Sequence, residues 1–253
     1  MSEKVEKLKK SLKKVKINGA SFYVAEGDLL LSDDQLKDYA GGGQANVPPA
    51  ERGTPHELLG ILKDGKLVRW KVGLKLSYTI IKSTFSEANY STVRDNMKQA
   101  TVDWQKTCGI EFEHRKDLDA AGTTDGALFT VQGVDADGEF IAAAFFPDEP
   151  ASRRQLVIDP SYFTTGFHKV GVLRHELGHV LGFRHEHIRP DAPAECPSEG
   201  TAGTFPFNKY DPQSVMHYFC GGVGDKNLKI SDKDREAAQR LYGPSFDEIH
   251  YFD

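Results

Sequence analysis

The run His175-Glu176-Leu177-Gly178-His179-Val180-Leu181-Gly182-Phe183-Arg184-His185 constrains the fold more than any other part of this chain. Its pattern, H-E-x-x-H-x-x-G-x-x-H, makes a site only if the first five residues are helical. Histidines four apart then project from one face and can grip one ion together. The helix must also stop soon afterwards. Gly182 can adopt a positive φ, so it ends the helix and turns the chain until His185 comes back to the same ion. Glu176 adjoins the first ligand without occupying a coordination position, which is the place of a general base. The spacing predicts one catalytic zinc ion held by His175, His179 and His185.

The residues that follow narrow the class. Glu186, His187, Arg189 and Asp191 come next, and Ser214-Val215-Met216-His217-Tyr218 stands downstream. A methionine in a tight turn some thirty residues past the third histidine is the second mark of the metzincin clan. The whole pattern, H-E-L-x-H-x-x-G-F-x-H-E-H-x-R-x-D followed by S-V-M-H-Y, resembles the astacin family of zinc endopeptidases. The resemblance covers roughly residues 68–243, with its motifs between 140 and 242. It implies that Tyr218 is an additional, displaceable zinc ligand that donates to the oxyanion when substrate is bound. It implies that Met216 is a packing floor beneath the metal, since a thioether suits a hard, nitrogen-rich site poorly. It places Glu186 in a buried polar network that receives a mature amino terminus; the plainer reading is a solvated carboxylate at a helix end. His187 and His217 lie close by, but the ligand set is already full, so they are read as supporting residues.

Composition agrees with an enzyme of one domain plus an appendage, or of two small lobes. The net charge of −5 is mild and argues against general nucleic-acid binding. No stretch approaches the roughly 18 apolar residues of a membrane span. Met1 to Lys16 is lysine-rich without an apolar core, so it is not a Sec signal peptide. The resemblance implies secretion, while export by another route, prior removal of a signal, and action inside a cell all stay open. Oligomeric state is not readable.

Residues 1–53 read as a prosegment with a connector, and 54–253 as the catalytic domain. The connector is Gly41-Gly42-Gly43 through Pro48-Pro49 to Gly53 and Pro55. Astacin precursors are held latent by an aspartate in F-x-G-D. Here Ala25-Glu26-Gly27-Asp28 matches at Gly27 and Asp28, with Ala25 in place of the phenylalanine and Phe22 three residues earlier. By resemblance Asp28 ligates zinc in the latent form; otherwise Glu26-Gly27-Asp28 is a surface turn. Arg52-Gly53 is a candidate activation bond.

The fold class expected is α+β: a mixed twisted sheet and two long helices in an upper lobe, and a small irregular lower lobe with the methionine turn and a C-terminal helix. Leu74–Ile80 alternates as a strand, and Ile110–His114 is a second. Val93, Met97, Ala100 and Trp104 recur at helical spacing. Phe140–Pro147 resembles the edge strand on which an extended protein or peptide substrate would lie, unless it is simply another buried strand. Gln155–Asp159 comes next inward, His168–Leu181 is the active-site helix, and a last helix opens at Ser231 and stops at Gly243. Of the three cysteines, Cys108 is expected free and buried; Cys196 and Cys220 flank the methionine turn and either pair or do not. The segment from Asp191 to Ser214 is short for an astacin, and no basic group is found for the acidic residue astacins often favour after the scissile bond. A zinc endopeptidase made as a latent precursor is the leading reading. A protease dedicated to one partner and a non-catalytic zinc module are the alternatives.

Overall fold

The computed structural model describes residues 3–41, 58–122, 125–197, 201 and 203–249. The connector, including Arg52-Gly53, lies outside the described residues. The charged N-terminal region forms a small module of α1 (Glu3–Ser11), β1 (Lys13–Ile17), β2 (Ala20–Ala25), β3 (Leu29–Leu31) and α2 (Asp33–Gly41). Asn18 and Gly19, at φ 51° and 81°, supply the two positive φ values of a type I′ turn and fix the β1–β2 register with Ile17 opposite Ala20. The chain folds back again with Ala25 opposite Leu29, so Glu26, Gly27 and Asp28 form the tip of a second hairpin.

In the rest of the chain, strands begin ahead of the expected Leu74–Ile80. β4 (Leu59–Lys63) and β5 (Lys66–Leu67) form a hairpin around Asp64 and Gly65, again at φ 51° and 73°. The main sheet contains β6 (Lys75–Ile80), β7 (Glu111–His114), β8 (Phe129–Gly133), β9 (Ala142–Ala143) and β10 (Gln155–Ile158), in the order β7-β6-β8-β10-β9. Its pairs are parallel except β9 on β10. Parallel neighbours need crossovers, and α3 (Glu87–Gln105) supplies the first, from β6 to β7. Ser86 caps its start by accepting from the Asn89 N–H.

α3 buries Val93, Met97 and Trp104 in one cluster with Leu76, Val131 and Leu156 of the sheet. Leu173 and Leu177 of α4 (Lys169–Val180) join the same cluster. Trp104 is fully buried and its indole N–H donates to the Arg174 carbonyl at 2.8 Å, so it locks α3 to α4. Truncating it to alanine would cost about 3–5 kcal/mol. β11 (Thr204–Pro206) returns to pair with β4, and α5 (Asp232–Tyr242) closes the lower part. Ser231 and Asp234 form a capping box at the start of α5, and Gly243 at φ 82° ends it. Among the described residues no helix is long and apolar enough to cross a membrane.

The segment 140–147 is at the sheet edge, but only Ala142-Ala143 are in the ladder. A turn at Asp137-Gly138 precedes it and Pro147, without an N–H, follows. The edge is also covered: Ala144 bridges in parallel to Leu29 of β3. Cys196 and Cys220 are bonded, and Cys108 is free and buried, where desolvation pushes its thiol up to about 12.

Candidate metal centre

α4 carries His175 and His179 on one face, and a Schellman turn delivers His185. The Gly182 N–H donates to the His179 carbonyl (2.9 Å) and the Phe183 N–H to the Gly178 carbonyl (3.0 Å). Gly182 sits at φ 96°, and a Cβ there would stand 2.8 Å from the Val68 carbonyl oxygen, so glycine is required twice over. Gly178 matters for a different reason. A side chain there would run into the Met216 sulfur, so the bare helix surface makes the seat for the methionine turn.

The three imidazoles converge through Nε2. His185 Nε2 lies 3.1 Å from that of His175 and 3.1 Å from that of His179. Their Nδ1 atoms face acceptors: the Val215 carbonyl at 2.7 Å, the Phe183 carbonyl at 2.7 Å, and Glu26 Oε2 at 2.9 Å for His185. Carbonyls and carboxylates only accept, so each neutral ring donates from Nδ1 and keeps its Nε2 lone pair for the centre. The hairpin tip brings a fourth donor. Asp28 Oδ2 stands 3.2 Å from His175 Nε2, and Oδ1 stands 3.0 Å and 3.6 Å from those of His185 and His179.

Asp28 Oδ1 is buried without a hydrogen-bond donor. Lone pairs packed this closely repel one another unless a cation lies among them. A tetrahedral zinc site with bonds of about 2.0 Å has donor–donor edges of about 3.3 Å, which these separations fit. Asp28, His175, His179 and His185 are the one such group found among the described residues.

Glu176 is buried beside the cluster with Oε2 unpartnered, and burial followed by the Asp28 charge pushes its carboxyl well above the usual range. Burial likewise lowers His179, to about 4. Tyr218 packs its ring 4.6 Å from His185 and stacks on His187 at 4.3 Å. Gly27 abuts its hydroxyl end, where a Cβ would stand 2.7 Å from the phenol oxygen. Met216 is fully buried under α4. Its turn is held by Asp234 of α5, which accepts from the Ser214 hydroxyl and the Val215 N–H.

The geometry decides between readings that the sequence left open. Glu186 is not a solvated carboxylate: it is fully buried, accepts from the Asp211 N–H at 2.9 Å, and is pushed up to about 8 by burial. Glu26-Gly27-Asp28 is not a surface turn, since Glu26 and Asp28 are 2 % and 5 % exposed. Phe22 packs with Val15 and Phe140. His187 and His217 stay out of the ligand group. Glu26 and Arg184, which sequence reasoning passed over, form a buried ion pair against His185. A carboxylate on a tight turn, itself at φ 51° and followed by Gly27 at φ 91°, gives no local sign of a partner so far away. The Asn18-Gly19 turn, by contrast, is a hairpin signal that could have revealed the module.

Beside His175 and Glu176 opens a cavity of about 350 Å³, walled by Phe140, Ile141, Phe167, Val172 and Leu228.

The matrixin family model matches residues 69–192. The structure of myroilysin superposes with a TM-score of 0.51 at 18 % identity, over 72 % of this chain and 98 % of that one. High choriolytic enzyme 1, a hatching-enzyme zinc protease from the medaka Oryzias latipes, gives a TM-score of 0.45 at 19 % identity, over 70 % of this chain and 95 % of that one. No curated protein matches. The architecture is that of metzincin-type zinc proteases, with a candidate three-histidine zinc cluster at its centre.

Proposed function

We propose that the chain is a zinc endopeptidase of astacin-like type, made as a latent precursor. The observation that carries this reading is the convergence of three Nε2 lone pairs beside a buried, unpartnered Glu176. A structural zinc site needs neither a spare carboxylate nor a displaceable fourth donor. His175, His179 and His185 would hold the zinc. When bound, the metal acidifies water and polarises a carbonyl.

The protein's own residues do the rest. Glu176 takes the proton from the attacking water and passes it to the leaving amine. Tyr218, held against His187, donates a hydrogen bond to the oxyanion. The sheet edge at Ala142–Ala144 pairs an extended peptide once Leu29 has left it. The adjoining cavity has apolar walls and so fits an apolar side chain, rather than the acidic one many astacins favour.

Residues 1–53 are the prosegment and connector, and Asp28 is the latency switch. Glu186 awaits a mature amino terminus, for which its unpartnered Oε2 is the receiving atom. The Cys196–Cys220 bond suits an oxidising compartment and supports secretion.

The test is cleavage of unfolded casein by wild type and Glu176→Gln, before and after limited trypsin, with and without a zinc chelator. Chelator-sensitive cleavage by wild type alone is expected after trypsin. Cleavage by Glu176→Gln at the wild-type rate, or cleavage that survives zinc removal, contradicts the reading.

A further inference from the structure

We propose that the N-terminal module is a docked inhibitor held by contacts of its own, so that cutting the chain between it and the catalytic unit does not open the site; the module must also dissociate. This rests on the protease reading above, and adds that scission and activation are separate events.

The module has an internal framework. Its three strands form one antiparallel sheet, and Tyr23, Leu31 and Leu36 cluster with Leu8 and Leu12 of the same module. A second cluster faces outward and does the docking. Val15, Ile17 and Phe22 are buried against Phe140, Ala143 and Val157 of the catalytic unit. At the rim, Lys13 Nζ pairs with Glu139 at 2.6 Å, and the Asn18 amide donates to Gln132 Oε1 at 3.3 Å. Every one of these contacts joins described residues on either side of the link, and none depends on the link being covalent.

The hairpin tip adds a second carboxylate to the expected one. Asp28 faces His185 Nε2 at 3.0 Å, while Glu26 Oε2 accepts from Nδ1 of the same ring at 2.9 Å. His185 is thus gripped at both nitrogens by residues two apart. Glu26 is also ion-paired with Arg184, and Tyr39, at the module's far end, donates to Glu26 at 3.1 Å. A desolvated carboxylate between a guanidinium and an imidazole is slow to leave, because its departure strands buried partners.

The tip is also a poor substrate. Glu26 and Gly27 sit at φ 51° and 91°, so the backbone turns instead of lying extended across the cleft. A side-chain carboxylate, not a peptide carbonyl, is presented to the histidines. The cleft can therefore hold this hairpin without cutting it. While the link is intact it keeps the module at about millimolar effective concentration, and scission removes only that contribution.

The test places a recognition sequence for a site-specific protease between residues 44 and 52 of the full chain. The zinc-loaded protein is cut to completion, then followed by size exclusion and by hydrolysis of casein. Nicked wild type is expected to keep its module in the same peak and to hydrolyse at less than about a tenth of the rate of nicked Glu26→Gln/Asp28→Asn, which should shed the module. Phe22→Ala, which removes a docking contact outside the metal centre, is expected to shed it as well and become active on nicking.

Nicked wild type that falls apart and becomes active at once overturns the proposal. So does Glu26→Gln alone retaining the module as firmly as wild type, as far as Glu26 is concerned. If the nicked double variant and Phe22→Ala both shed the module and neither hydrolyses anything, docking stands and it is the protease reading that fails.

Discussion

Glu176 reaches the histidine cluster from inside it, one residue after His175 on α4, whereas Asp28 arrives on a hairpin 147 residues before His175. Both are buried, and burial alone would push both carboxyls up. For Asp28 that push is overcome by the three imidazoles facing it, His185 first, which when protonated hold it well below the usual range; a cation among the neutral rings would do the same. Glu176 has no such partners, and the Asp28 charge raises it further. Two like charges in a low-dielectric site disfavour each other, so an ionised Asp28 works against the ionised form of Glu176. A local residue is thus fixed in place by the helix, and on the reading proposed above a distant one decides whether it can work.

The two carboxylates should respond oppositely to loss of charge. Glu176→Gln in protein freed of its module should lower the casein-cleavage rate by about 10²–10⁴-fold while zinc content by metal analysis is unchanged. Asp28→Asn in the nicked chain should do the reverse, giving measurable cleavage where nicked wild type is silent. If Asp28→Asn stays silent although Glu176 is shown to be required, the hairpin inhibits by shape and not through its carboxylate. Tyr218→Phe should lower kcat about a hundredfold with KM little changed, the mark of a donor used at the oxyanion. A rise in KM alone would make Tyr218 a wall of the cleft.

How much of this was legible follows the same local–distant divide. His175, His179, Gly182 and His185 specify their geometry through helix spacing and one glycine turn, and Ser231 and Gly243 mark α5 by its caps. Met216 was legible as a floor, but the reason Gly178 precedes His179 is visible only when the Met216 sulfur is seen against it. For Glu186 a buried network and a solvated charge both stayed open, because sequence cannot show that the Asp211 N–H donates to its carboxylate and that its own N–H donates to the Met216 carbonyl. Glu26 pairs with a histidine 159 residues away, and no local pattern encodes such a partner. The hairpins at Asn18-Gly19 and Asp64-Gly65 were different: their signal was in the chain, hidden by flanking lysines that read as solvated charge.

Two smaller effects sharpen the local side of the comparison. Met216→Ala should lower stability by about 2–5 kcal/mol in denaturant titration, since it empties a fully buried seat under α4, yet leave one zinc per chain. Loss of zinc in that variant would make the methionine more than a floor. Cys108, with its thiol pushed up to about 12, should resist iodoacetamide at pH 8 in the native protein and react fully once unfolded. Rapid native labelling would mean that the α3–sheet core opens readily.

The central claim is that three histidines and Asp28 share one metal in the latent chain. An anomalous-difference map at the zinc edge, from crystals of the uncut protein, tests it most directly. The account predicts a single strong peak about 2.0 Å from Nε2 of His175, His179 and His185, with a carboxylate oxygen of Asp28 at bonding distance. A peak whose fourth partner is water with Asp28 turned away, or no peak among the histidines in zinc-replete crystals, would contradict it.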